Sequence, residues 1–153
     1  MALYLVQHGK ALPKEQDPEQ HLSSEGRAEV QRMADLAENH GVRVRRIEHS
    51  PKPRAKETAE IFAAVLKPEA GVGVKEGIAP LDDVAALREK LRPEDDLMLV
   101  GHLPFMEKLV SYLITGSPEP IVIKFQNGGL VCLDQSPETR KWHIKWTLMP
   151  RIE

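Results

Sequence analysis

Leu3-Tyr4-Leu5-Val6-Gln7-His8-Gly9-Lys10 is the stretch on which the reading of this chain turns. The run Leu3–Val6 is apolar without a break, as a short buried strand is. It leads directly into Gln7-His8-Gly9. A glycine after a histidine lets the backbone turn sharply and come close to a ligand. In an open α/β sheet, ligands bind beyond the carboxyl ends of the strands. His8 is therefore predicted to sit where such a fold does its chemistry.

Working outward, residues 10–22 carry Pro13, Pro18 and mixed charges with no apolar period, which predicts a loop able to cover that point. Ser23-Ser24-Glu25-Gly26 opens a helix: a serine can cap the free N–H groups and an early Glu suits the positive end. Val30, Met33, Ala34 and Ala37 follow at helical spacing, and Gly41 stops the helix. Val42–Ile47 reads as a second strand, its arginines as solvated strand ends. The Pro-rich turn Glu48–Arg54 feeds a helix over 54–67, with Ala55, Thr58, Ala59, Phe62 and Leu66 as its buried stripe. Arg54 falls in the first turn, where unpaired backbone N–H groups favour an anion.

Residues 68–80, with three glycines and two prolines, predict a loop with a short edge strand. Leu81–Leu91 reads as a helix with Val84, Leu87 and Leu91 inward. Leu97-Met98-Leu99-Val100 predicts a central parallel strand. It ends in Gly101-His102-Leu103-Pro104, a second strand that delivers a His to a turn beside a Gly. Phe105–Thr115 follows as a helix stopped by Gly116. Ile121–Phe125 and Gly129–Leu133 read as a hairpin around Asn127-Gly128. Trp142, Ile144, Trp146 and Leu148 alternate with polar residues, giving a last strand with one buried face. Early alternation of strands and helices with a late hairpin predicts one α/β domain over residues 1–153. Its sheet is mostly parallel and helix-flanked, with antiparallel edge strands.

Composition narrows the function. The 153 residues are 41% apolar and 29% charged with a net charge of −2, so bulk electrostatics gives no reason for nucleic acid or a membrane surface as partner. A lone Cys132 excludes an intrachain disulfide and a Cys-rich metal site, and fits a reducing compartment. No apolar run approaches the ~20 residues of a membrane span. No basic-then-apolar leader precedes the first strand. The expected location is the cytoplasm. His21, His40, His49 and His143 lack metal-ligand spacing, and no metal or other cofactor is expected.

Three elements then converge at strand ends: His8, Arg54 and His102. One His, one Arg and a second His suit phosphoryl transfer. A neutral imidazole nitrogen can attack phosphorus and carry the group covalently. Arg can fork onto two phosphate oxygens, and a second His can donate to a third.

The motifs Leu5-Val6-Gln7-His8-Gly9, Ser50-Pro51-x-x-Arg54-Ala55-x-x-Thr58 and Val100-Gly101-His102-Leu103-Pro104 resemble those of the histidine phosphatase superfamily, also called phosphoglycerate-mutase-like. The short length, Leu22-Ser23-x-x-Gly26 and the Gly-His-Leu-Pro form are most similar to its small SixA-type phosphohistidine phosphatases. The resemblance runs essentially end to end. It implies a three-layer α/β/α sandwich and phosphate chemistry without a metal. It implies that His8 is the phosphorylated nucleophile, that Arg54 and His102 bind the phosphoryl oxygens, and that Gly9 and the Leu103 backbone shape the pocket. The implied partner is a phosphohistidine-containing protein such as a phosphotransfer domain.

Two departures bear on rate and substrate. Gln7 stands where the family pattern has Arg, replacing a charged fork of donors by one neutral amide. Losing one such charge-assisted bond predicts about tenfold weaker transition-state binding, a slowing and not an abolition. Lys10 stands where many relatives carry an acid and would restore part of the missing charge. A proton donor for the leaving group is the second: Asp83 is the candidate general acid, with helix capping as its competing role. Imidazole leaves phosphorus more easily than an alkoxide, so a weak or missing acid favours phosphoramidates over esters. The rival expectations are a phosphate-binding pseudoenzyme and a phosphatase of small phosphate esters.

Overall fold

Strand β1, Leu3–Gln7, is buried along its whole length because both of its faces are covered. Leu3 and Leu5 enter one apolar layer, while Tyr4 and Val6 enter the other. The computed structural model describes residues 1–152, and the remaining elements arrange themselves around this strand. They are α1 Ser24–Asn39, β2 Arg46–His49, α2 Pro53–Leu66, β3 Val72–Val74, α3 Val84–Arg88, β4 Leu97–Gly101, α4 Phe105–Thr115, β5 Leu130–Gln135 and β6 Trp142–Leu148. The sheet order is β3-β2-β4-β1-β5-β6. The first four are mutually parallel, and β5 pairs antiparallel with both β1 and β6.

Helices α1 and α2 cover one face, placing Val30, Met33, Ala34, Ala55, Ala59 and Phe62 against Val6, Ile47, Met98 and Val100. Helices α3 and α4 cover the other, placing Val84, Leu87, Phe105, Met106 and Leu109 against Leu5, Leu99 and Val131. This is the three-layer α/β/α sandwich, with its four parallel strands running inward from the β3 edge and its antiparallel pairs on the β6 side. Among the described residues no helix is long and apolar enough to cross a membrane.

Local signals explain most boundaries. The Ser23 hydroxyl accepts from Gly26 N at 2.9 Å and starts α1; Gly116, at φ 83°, ends α4. Four expectations are corrected. β2 spans 46–49, not 42–47. Its partner β4 begins at Leu97, opposite Arg46, so residues 42–45 have no ladder to join although Val42 and Val44 are buried. The helix predicted over 81–91 is confined to Val84–Arg88, because Asp82 accepts from Ala79 N and Asp83 from Ala85 N, which fixes the turn before it. No hairpin forms around Asn127-Gly128. Residues 121–125 are not a strand, and Phe125 N instead donates to Glu107 Oε2 on α4 at 3.1 Å.

The fourth correction concerns β6. Its apolar residues do not share one face. Cys132 pairs with Trp146 and Leu133 with Ile144, so Lys145 is an extra residue, a β-bulge. Beyond it the facing reverses: Trp142 and Ile144 join the α3/α4 layer, Trp146 and Leu148 the α1/α2 layer.

Candidate active site

The carboxyl ends of the two central strands place His8 and His102 side by side. His8 N donates to Gly101 O at 3.0 Å, extending the β1–β4 ladder one residue beyond the strands. The imidazole rings then lie 5.0 Å apart between centroids, at 57°. The segment after α4 locks the His8 backbone from the other side. Gly128 N donates to Gln7 O at 2.9 Å, and Asn127 Nδ2 donates to His8 O at 3.1 Å. The Asn-Gly signal predicts a hairpin turn. The chain does turn there, with Gly128 at φ 77°, but its donors serve the end of β1 that carries His8.

Gly9 is needed for close approach: a Cβ there would meet Val30 Cγ2 at 2.6 Å. Gly26 serves the same end on α1, where a Cβ would collide with the Lys10 carbonyl oxygen. Gly9 N donates to Thr58 Oγ1 at 2.9 Å, and the same hydroxyl donates to Arg54 O at 2.8 Å. Thr58 thus ties the His8 loop to the first turn of α2. The sequence placed Thr58 on the buried stripe, and in the structure it is also the coupling between two site residues.

The His8 ring donates from Nδ1 to the carbonyl of Gly9 at 2.7 Å. One proton is thereby fixed on Nδ1, and Nε2 is left with its lone pair. Burial, with Arg54 opposing charge, pushes the His8 pKa down to about 4 against the bond to Gly9, so the ring is neutral at pH 7. His102 is almost wholly buried, and its Nε2 lies 2.5 Å from Ser50 Oγ. Burial, then the charges of His8, Arg54 and Lys52, push its pKa down to about 3.

Arg54 is half-buried in the first turn of α2, behind Pro53 at the helix start, and burial lowers its pKa. That turn has no acidic residue and no side-chain cap; Pro53 has no N–H and Ala55 N donates to Lys52 O at 3.1 Å, which leaves the Arg54 N–H and the positive end of the helix dipole to meet an anion. Among the described residues neither Arg54 nor Lys52 forms an ion pair. Arg54 acts on the His8 ring, and Arg54 and Lys52 act with His8 on the His102 ring, each disfavouring a proton there. The arrangement can bind a phosphoryl group and attack it with a neutral nitrogen.

The other predicted residues fall as follows. Gln7 is buried, and its Oε1 has no hydrogen-bond partner among the described residues. Lys10 Nζ pairs with Glu25 Oε2 at 2.9 Å at the surface, holding the Glu25 carboxyl below the usual range. Leu103 is half-buried between β4 and α4. Asp83 is exposed and caps α3. Among the described residues no group of three or more His, Cys, Asp or Glu side chains could hold a metal ion.

The model of the histidine phosphatase superfamily (branch 1) matches residues 3–82. The chain belongs to the histidine phosphatase superfamily. The matched stretch contains His8 and Arg54. His102 lies outside it, and here it is the three-dimensional pairing that brings it in. An uncharacterized protein of Picosynechococcus sp. is 33% identical over 113 residues, 68% of this chain and 67% of that one. The protein histidine phosphatase SixA, solved with tungstate, superposes with a TM-score of 0.83 at 24% identity, covering 98% of this histidine phosphatase and 97% of SixA. A candidate phosphohistidine phosphatase SixA from Agrobacterium tumefaciens gives 0.76 at 25% identity, over 97% of each chain. A mycobacterial glucosyl-3-phosphoglycerate phosphatase shares the fold at 0.72 and 14% identity, over 95% of this chain and 97% of that one. Superfamily membership and these likenesses support a phosphatase.

Proposed function

We propose that this histidine phosphatase hydrolyses phosphohistidine, a phosphoramidate, in a protein, through a covalent intermediate on His8 and without a metal. The observation that carries the reading is the His8 ring: its one proton is committed to Gly9 O, its other nitrogen keeps its lone pair, and the Arg54 guanidinium is close enough to act on it.

His8 Nε2 donates its lone pair to phosphorus as the substrate N–P bond breaks. The electron pair of that bond stays on the departing imidazole, which is protonated from solvent. Water then attacks the phosphorus on His8. The bond from phosphorus to Nε2 breaks, a proton leaves the water, and inorganic phosphate departs with His8 restored. Arg54 and the α2 N-terminus hold the oxygens and answer their charge throughout.

The occupation of Asp83 as the cap of α3 supports a substrate with an easily departing nitrogen. A small phosphate ester would need an acid at its leaving oxygen, and the candidate Asp83 is engaged at Ala85 N. A cytoplasmic location goes with this reading, supported by a single, buried thiol at Cys132.

The test is a rapid-quench assay with phosphoramidate and with a phosphorylated phosphotransfer domain. Acid-labile, base-stable phosphate on His8, lost in His8→Ala, is expected together with phosphate release. Faster release from alkyl phosphates than from phosphoramidate would overturn the substrate class. Binding with neither label nor release would mean a phosphate-binding module.

A further inference from the structure

The structure assigns Ser50 the role of a positioning residue that fixes the tautomer of His102, so that this ring offers an Nδ1–H to the phosphoryl oxygens while uncharged. Its purpose rests on the phosphatase reading above; the tautomer itself does not.

Ser50 and His102 are both almost completely shut off from solvent. Their backbones are fixed on neighbouring strand ends. Ser50 N donates to Val100 O at 3.1 Å, and His102 O accepts from Met106 N at 2.9 Å in the first turn of α4. Ser50 Oγ and His102 Nε2 are therefore held in contact by the frame and not by a mobile side chain.

The proton count decides the direction of that bond. Ser50 Oγ already accepts, at 3.4 Å, from the backbone N–H of Lys52. A hydroxyl has one proton to give, and His102 Nε2 is the acceptor beside it. His102 then carries its own proton on Nδ1, a buried nitrogen that has no hydrogen-bond partner among the described residues. The opposite tautomer would have Ser50 accept twice with its own proton unplaced, and would turn the Nδ1 lone pair toward an anion. Only the first arrangement satisfies the donors and presents an N–H to phosphate.

Protonating His102 is the other way to obtain that donor, and the surroundings oppose it. His8, Arg54 and Lys52 are the charged or chargeable groups that act on the ring, and none of them is acidic. The two histidines consequently share one tautomer for opposite purposes. Gly9 O holds the proton on His8 Nδ1 so that Nε2 can attack; Ser50 occupies His102 Nε2 so that Nδ1 can donate.

The decisive measurement needs no substitution: ring nitrogen shifts of the 15N-histidine-labelled protein at pH 7, with and without inorganic phosphate. We expect a protonated Nδ1 and an unprotonated Nε2 on His102, with Nδ1 shifting when phosphate binds. In Ser50→Ala the ring should redistribute toward the Nε2–H form, and kcat/KM for phosphoramidate should fall about tenfold, the scale of one neutral hydrogen bond. Ser50→Thr, which keeps the hydroxyl, should restore the tautomer. An Nε2–H His102 in the unsubstituted protein overturns the inference, as does an unchanged tautomer in a folded Ser50→Ala. The expected tautomer in a protein that releases no phosphate would sink the phosphatase reading and leave this inference standing.

Discussion

At the scale of single residues, the site keeps its fixed positive charge apart from two uncharged imidazoles. His8 is neutral above pH about 4 because burial outweighs its bond to Gly9. The free enzyme's kcat/KM should therefore hold level from neutral pH down to about 5 and fall as pH drops through about 4, measured with a substrate whose own ionisation is corrected for. Gln7→Arg should raise kcat/KM for phosphoramidate about tenfold by turning a neutral amide into a charged donor; an equal or lower rate would show that the burial of this position does not tolerate the charge. The two lysines near the site should behave differently under titration with inorganic phosphate. Lys10 already shares its charge with Glu25, whereas the charge of Lys52 reaches His102. Lys52→Ala is expected to weaken phosphate binding more than Lys10→Ala, and the reverse order would put the compensating charge at residue 10.

At the scale of elements, the question is what keeps α2 aligned with the end of β1. Thr58 does so through one hydroxyl that receives Gly9 N–H and gives its proton to Arg54 O. Thr58→Val keeps the shape and removes both bonds, leaving a buried N–H unsatisfied. It should cost about 1–3 kcal/mol in urea unfolding and weaken phosphate binding by displacing Arg54; unchanged phosphate affinity would show that Arg54 is aligned by packing alone. This coupling also shows what the sequence could and could not reveal. The strand-then-His pattern at residues 3–9 and 97–102 was readable because both strands are central and buried on two faces, leaving uninterrupted apolar runs. Arg54 was readable as the first turn of a helix that begins at a proline. Thr58 closes the motif that begins at Ser50, but what it bonds, like what Asn127 bonds, was not readable, because each reaches a backbone atom of a segment far away in sequence. Helix periodicity and turn propensity carry no such information. Strand β2 was misplaced for the same kind of reason, since its start is set by where β4 begins.

At the scale of the whole molecule, burying two uncharged histidines ties stability to pH. An unfolded His binds its proton near pH 6.5, while His8 and His102 in the fold bind theirs near 4 and 3. Between those limits the unfolded chain holds more protons, so stability should fall as pH is lowered from about 6.5 toward 4. His21 works in the opposite sense, since Asp17 raises its pKa, but its contribution is already complete below 6.5. Urea midpoints taken from pH 7 to pH 4.5 should decline, and more shallowly in His102→Asn; parallel curves would mean that the ring is charged in the fold.

The bulge at Lys145 lets one edge strand close both apolar layers, with Trp142 and Ile144 on one side and Trp146 and Leu148 on the other. It also makes this strand tolerant of a change in length that would ruin an ordinary one. Removing one residue from a regular strand turns everything beyond the cut inside out. Removing Lys145 would instead bring Ile144 and Trp146 into adjacent places, on the opposite faces they already occupy. A chain shortened by that one residue should keep its fold, and relatives with and without the extra residue could share the same two layers.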